Sequence, residues 1–208
     1  MTPISLVGAG GHARVVYDLV QLLEPGRAVR WHDDAWQTLL AVPPIVAIEP
    51  IDTLVTGSEQ SDVFVAIGDA KVRLSLMEAL QNRGHRLISL VHPFTSVSPY
   101  SEIGAGSICM AGVILQSGAL LGRGVIINTA ASVDHDCVIG DGTHIAPGAR
   151  LAGGVTVGEQ AWIGAGSVVR EGVSVGARAT IGAGAVVVHD VPEGSIRVGN
   201  PARDMAER

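Results

Sequence analysis

Asp134-His135-Asp136 sets a histidine between two carboxylates. An imidazole changes charge near neutral pH, and an adjacent carboxylate can orient the ring and stabilise its protonated form, which is what a general base needs. The alternative is a surface histidine in an acidic loop. A second group of candidates stands near the N-terminus. There the apolar run ISLVGA passes into Gly8-Ala9-Gly10-Gly11-His12-Ala13, and ARVVYDLVQLL follows with helical spacing. Strand, glycine turn and helix start coincide, as a phosphate cradle requires: glycine lets the backbone approach a phosphate, and the helix start presents free N–H groups. The alternative is a glycine turn that only lets helix and strand pack. About twenty residues later AVRWHDDA reads as a second strand ending in Asp33 and Asp34, where an acidic residue can meet a sugar hydroxyl.

His135 is positioned by a repeat. Residues 97 to 192 fall into sixteen consecutive hexads without an insertion. The first position is Val, Ile or Leu except at Cys109, and the fifth is Ser, Val, Ala, Cys or Thr throughout. This predicts a parallel β-helix in which each hexad makes one short strand and one corner, with first and fifth residues facing a narrow interior. Glycine at second and fourth positions supplies the backbone freedom of the corners. The spacing resembles that of the hexapeptide acyltransferases, which implies three hexads to a turn, so that residues 18 apart stack in columns about 4.8 Å apart. The column through His135 reads Ser117, His135, Gly153, Glu171, His189. Gly153 leaves a notch beside the imidazole where a thioester or carbonyl could lie. His189 stands about 14 Å above by the same spacing, outside any shared centre. His144 is stacked between Ile126 and Trp162, as a ligand contact or as packing on the indole. The three histidines form no cluster, so no metal site is expected within a chain.

Between the cradle and the repeat come a Pro-rich connection (Val42-Pro43-Pro44), a helical piece near 50 to 57, and the buried parallel strand VFVAI. Gly68-Asp69 follows, then the helix AKVRLSLMEALQNRG with Asp69 as its N-cap and Gly84 as its stop, and RLISLV as a last strand. About four strands and three helices make a half-Rossmann unit, suited to a mononucleotide or nucleotide-sugar rather than a dinucleotide. The repeat starts near Val91 or Val97, and the tail SIRVGNPARDM leaves the hexad phase and turns back along the coil. A formal net charge of -6 without a Lys/Arg cluster argues against nucleic acid, and 3% aromatic residues support neither base stacking nor a membrane belt. Cys109 and Cys137 occupy inward positions, as small buried hydrophobes. No leader or long apolar run is read, so the expectation is a cytoplasmic protein without membrane insertion.

VGAGGHARVV, HDD, VAIGD, VIINTAASVDHDCVIGDGTHIAPGARLAGGV and VGNPA together resemble the sugar O- and N-acetyltransferases of the NeuD/PglD type, over essentially the whole chain. The resemblance implies an α/β + β fold: a small Rossmann-like nucleotide-sugar-binding domain over 1–90, then a left-handed parallel β-helix with a C-terminal tail over 91–208. It implies a homotrimer binding acetyl-CoA between neighbouring coils, without metal or covalent acyl-enzyme. The family's base falls on His135 and its acidic partner on Asp136, where many relatives carry Glu. Acetyl-CoA contacts fall on His144, Gly153, Gly164 and Gly182. Nucleotide-sugar contacts fall on Gly8, Gly10, Gly11, His12, Asp33, Asp34 and Gly68. The expected activity is acetylation of the 4-amino group of a nucleotide-linked amino-deoxy sugar. The alternatives are O-acetylation of sialic acid or a related sugar, a zinc-dependent β-helix carbonic anhydrase, and a non-catalytic scaffold.

Overall fold

The computed structural model describes residues 3–35 and 47–205, so the Pro-rich connection at 42–44 lies outside the described residues. The chain divides into two compact units, Met1–Leu90 and Val91–Arg208. In the first unit the order is β1 (Ile4–Val7), α1 (Gly11–Leu23), β2 (Val29–His32), β3 (Ile48–Glu49), α2 (Asp52–Thr56), β4 (Asp62–Val65), α3 (Ala70–Asn82) and β5 (Arg86–Leu87). The strands make one parallel sheet in the order β3-β2-β1-β4-β5. Both central strands are buried along their whole length, which is why ISLV and DVFV read as unbroken runs rather than alternating ones. α1 turns Ala13, Val16, Leu19 and Val20 inward, one face at helical spacing. Asp69 caps α3 by accepting the N–H of Val72 at 2.8 Å, and Gly84 ends it with a φ of +87°.

RLISLV is not one strand. Arg86–Leu87 pairs with β4, whereas Leu90–Val91, here β6, pairs with Ile108–Cys109 in the second unit. An apolar run carries no sign of a change of sheet, so the pattern merged the two. β3 is a two-residue strand with too few residues for a visible period.

The second unit is a left-handed parallel β-helix. Up to Val186–Val187 each hexad contributes a two-residue strand paired with its counterpart 18 residues away, as in Ser132 with Arg150 and Ile126 with His144. The sixteenth hexad breaks this phase: Val175 pairs with Val191 and Thr180 with Ile196, each 16 residues on, so the column through His135 does not run on to His189 as the spacing predicted. Val133, Leu151, Val169 and Val187 line one interior column, fully buried, with Cys109 and Cys137 in the same core. Burying each such aliphatic side chain contributes about 1.5–3 kcal/mol relative to leaving it in water. Burial pushes the Cys109 thiol up to about 12, so that sulfur stays protonated and inert at neutral pH.

Corner glycines prove to be of two kinds. Fourth positions from Gly106 to Gly184 take positive φ, including the non-glycine residues Ala130, Asp136, Gln160 and Arg178. Second positions do not: a Cβ on Gly140 would lie 2.5 Å from the backbone nitrogen of Glu159 in the next turn. There glycine is required by close approach of successive coils rather than by conformational freedom. At the end of the coil Ile196–Val198 continues the parallel ladder beside Thr180–Ile181, and Arg203–Asp204 returns antiparallel to it.

Candidate active site

His135 stands exposed at the corner between the strands Ser132–Val133 and Val138–Ile139. Its Nδ1 lies 2.9 Å from Asp136 Oδ2. Nδ1–H donates to that carboxylate, so the neutral ring keeps its lone pair on Nε2. Asp134 does a different job, its Oδ1 accepting the backbone N–H of His135 at 2.7 Å. One aspartate fixes the ring and the other the chain beneath it. The hydrogen bond from Asp136 raises the imidazole's pKa above its ordinary value, slight desolvation opposes this, and the charges of Asp134 and Asp136 add to the rise.

Nε2 faces Gly153. A Cβ there would lie 2.5 Å from Nε2 and 2.6 Å from Cε1, so the open step in the column is filled by the reactive edge of the ring. On the other side of the pair a Cβ on Gly118 would lie 2.6 Å from Asp136 Oδ1. Both aspartate and imidazole thus fit only because glycines lie one turn below and one turn above. Gly118 was overlooked in the sequence, although it is 18 residues before Asp136. Asp136 has a φ of +58°, in the region that Asp and Asn tolerate better than most residues. That backbone favours the short acid over Glu.

Gly118→Ala, at a φ of +74°, and Gly172→Ala, at +68° in the same column, should each lose about 1 kcal/mol of stability from left-handed strain. Nothing lies within 4 Å of a Cβ on Gly172. Only Gly118→Ala should therefore displace Asp136 and lower the pKa of His135, read by NMR titration of the imidazole.

His144 points out from another face of the coil, half a turn from His135. It lies in register with Ile126 and Trp162, and its ring centroid is 4.3 Å from the indole. Nδ2 of Asn128 lies 3.1 Å from its Nε2, so the amide donates and the ring proton sits on Nδ1. Asn128 carried no sequence signal, because it sits sixteen residues away and off the 18-residue columns. Gly164 and Gly182 stand in the column above the His144 face, and their N–H groups are committed to the ladder, donating to Ile181 and Arg197 carbonyls at 2.9 and 2.8 Å. Their Cβ positions face the next turn, 2.5 Å from the Ile181 carbonyl oxygen at Gly164 and 2.7 Å from Val198 at Gly182, so both glycines serve the close approach of successive coils.

In the first unit Gly8, at a φ of +105°, brings the chain past β4, with a Cβ there falling 2.9 Å from the Ala66 carbonyl oxygen. Gly10, Gly11 and Gly68 border open space. Asp33 departs from the expectation of a free sugar-hydroxyl acceptor. Its Oδ2 accepts the N–H of Ala9 at 2.9 Å and its Oδ1 that of Ala35 at 2.8 Å, so it ties the end of β2 to the glycine loop. Asp34 is exposed, and both aspartates border a cavity of about 540 Å³ that also meets Ile51, Ile67, Lys71 and Ser75. His12 sits at the start of α1 with Nε2 buried and unbonded. Burial, with a smaller push from Arg73, lowers its pKa to about 4, so the ring is neutral. Arg73 is buried behind the loop and donates to the carbonyls of Ile67 and Gly68 at 2.6 and 2.8 Å. Among the described residues there is no group of three or more His, Cys, Asp or Glu that could hold a metal ion, and no helix long and apolar enough to cross a membrane.

The PglD N-terminal domain family matches residues 3–80, and the bacterial transferase hexapeptide family matches 118–153 and 154–189. Among solved structures, the acetyltransferase domain of PglB from Neisseria gonorrhoeae is 40% identical, with 99% of this chain and 100% of that chain covered and a TM-score of 0.91. PerB from Caulobacter crescentus, solved with CoA and GDP-perosamine, is 38% identical over 98% of this chain and 97% of that one, with a TM-score of 0.89. The UDP-N-acetylbacillosamine N-acetyltransferase of Bacillus subtilis is 34% identical over 115 residues, 52% of this chain. The chain spans about half the length of that curated relative, 51%.

Proposed function

The chain belongs to the PglD-type family of hexapeptide-repeat sugar acetyltransferases, and from that premise we propose that it moves the acetyl group of acetyl-CoA to the 4-amino group of a nucleotide-linked amino-deoxy sugar. The observation that carries this reading is the His135 ring, braced by Asp136 on Nδ1 and with Nε2 against the Gly153 notch. The sugar amine attacks the thioester carbonyl while Nε2 takes a proton from the attacking nitrogen. The oxyanion is held by a backbone N–H at Gly153. Collapse of the intermediate breaks the C–S bond, and the imidazolium, supported by Asp136, returns the proton to the departing thiolate. The acetyl group passes directly from sulfur to nitrogen. PerB was solved with CoA and GDP-perosamine and the PglB domain with acetyl coenzyme A, which supports the same pair of substrates here.

Residues 1–90 hold the nucleotide-sugar and 91–208 carry the transfer. Gly10, Gly11, His12, Asp34 and Gly68 border the nucleotide, while Gly8 and Asp33 shape the loop from behind. His135 and His144 lie nine residues apart, half of an 18-residue turn, on different parts of the coil. Both serve one acetyl-CoA when coils of two chains lie side by side, as a homotrimer provides. Acetyl-CoA and nucleotide-sugars are cytoplasmic metabolites, and the protein acts there.

The test is CoA release from acetyl-CoA, followed with a thiol reagent, against UDP-, GDP- and dTDP-linked 4-amino sugars and free sialic acids. Turnover of one nucleotide-linked amine supports the reading. Turnover of sialic acid alone replaces it with O-acetylation, and silence with every acceptor removes it. Within that assay Asp33→Ala, which frees two backbone N–H groups, should raise the nucleotide-sugar KM about tenfold, from lost hydrogen bonds to a charged acceptor worth ~1.5–3 kcal/mol. The KM for acetyl-CoA should stay as it was, because Asp33 touches only the glycine loop and its own turn.

A further inference from the structure

The corner that carries His135 continues below it as well as above. Ser96 pairs with Ile114 and Ile114 with Ser132, so Tyr100, Gly118 and Asp136 stack in one column and Pro99, Ser117 and His135 in the next. Backbone bonds fix the same order: the N–H of Gly118 donates to the Tyr100 carbonyl at 3.1 Å, and that of Asp136 to the Ser117 carbonyl at 3.1 Å. Tyr100 therefore stands two turns, about 10 Å, beneath the His135–Asp136 pair. The chain is only 3% aromatic, yet this ring is 77% exposed. Its main chain is held, the N–H donating to Ser98 Oγ at 3.2 Å. Among the described residues nothing stacks on the ring and nothing hydrogen-bonds its hydroxyl.

We propose that Tyr100 is a specificity-determining residue that receives the pyranose ring of the acceptor, the sugar whose 4-amino group meets His135. The inference rests on the function proposed above and adds to it a residue that selects the sugar. Nε2 lies against Gly153, so the thioester belongs to the upper side of the imidazole and the lower side is left to the acceptor. That side presents Oδ1 of Asp136 over Gly118, then the exposed Ser117, then the Tyr100 ring. Polar groups at one end and an aromatic face at the other match a sugar, which carries hydroxyls on its rim and C–H bonds on its faces. A pyranose is roughly 6 Å from its C1 oxygen to its C4 nitrogen at ordinary bond lengths, which fits the two-turn interval once the two side chains are subtracted. Phe94 is 76% exposed but stands one hexad earlier, on the neighbouring corner, where its carbonyl accepts the N–H of Gly112. It provides a control of equal exposure outside the column.

Steady-state kinetics on the full chain test this, with whichever of the UDP-, GDP- and dTDP-linked 4-amino sugars the wild type turns over fastest, in Tyr100→Ala, Tyr100→Phe and Phe94→Ala. Tyr100→Ala should lower kcat/KM for the sugar about tenfold, the worth of one aromatic contact. The KM for acetyl-CoA and the calorimetric affinity for the matching nucleoside diphosphate should stay as they were. Tyr100→Phe keeps the aromatic face and should recover most of the loss, and Phe94→Ala should change nothing. The melting curve and the light-scattering mass of Tyr100→Ala should match the wild type, because the ring packs on nothing in its own chain. An equal fall in diphosphate affinity assigns Tyr100 to the nucleotide and overturns the inference. A change in mass makes the ring a contact between copies of the chain and overturns it as well. Wild-type kinetics in Tyr100→Ala overturn the inference and leave the proposed function standing. A wild type that turns over no nucleotide-linked amine removes both.

Discussion

His135→Ala should lower kcat by 10²–10⁴-fold, the usual contribution of a positioned general base, and leave the melting temperature near that of the wild type. The imidazole is exposed and its removal opens no cavity in the coil, so a loss of activity would be a loss of chemistry rather than of fold. A variant that keeps more than about a tenth of the wild-type kcat would remove His135 from the role of base. The pH dependence tests the same assignment through Asp136. The base works as neutral imidazole, so kcat/KM rises with pH through the pKa of His135, and the carboxylate on Nδ1 holds that pKa above the ordinary histidine value. Asp136→Asn removes the charge and should shift the acidic limb of the profile to lower pH, while lowering the plateau because the imidazolium loses its support. A limb that stays in place would mean that another group sets it. Asp136→Glu should recover the limb only in part, because the longer acid must fit over Gly118 from a backbone at φ +58°.

The coil was legible because its period is written in every hexad, and a parallel ladder converts period directly into position. Knowing that residues 18 apart stack was enough to put Gly153 beside His135 and Trp162 beside His144, as the registers do. Pairs outside that arithmetic were not legible. Asn128 reaches His144 by the length of a side chain, and Asp33 turns both oxygens back onto backbone N–H groups that no spacing rule places. In the first unit β1, α1, β2, β4 and α3 followed from apolar runs and caps. The break inside RLISLV did not, since hydrophobicity reports burial and not the sheet in which a strand is buried. The two kinds of corner glycine were read as one for a similar reason. Composition shows where a side chain is missing, and only the neighbouring turn shows whether φ or contact required its absence.

Gly153→Ala should abolish most of the activity while leaving the protein as stable as before. Gly153 is absent from the positive-φ positions, so alanine fits its backbone, and the contact a methyl group would make is with the end of an exposed side chain rather than with the coil. Surface changes of that kind are worth about ±0.5 kcal/mol. The methyl carbon would nevertheless fall 2.5 Å from Nε2, closer than any real contact, so the ring must swing away from the notch. Its Nδ1 bond to Asp136 is then broken or bent, and Nε2 loses the place where the thioester carbonyl is proposed to lie. A displacement of about 1 Å at reacting atoms costs on the order of 10²-fold in rate. The expected result is a fall in kcat of that size with an unchanged melting curve. Gly154→Ala, which meets nothing within 4 Å but sits at a φ of +69°, should show the reverse, losing about 1 kcal/mol of stability with far less effect on kcat. If both substitutions cut activity equally, the corner as a whole is intolerant and the notch has no special part in the reaction. If Gly153→Ala alone does so, the glycine step that receives the His135 ring is what holds Nε2 in place for the transfer.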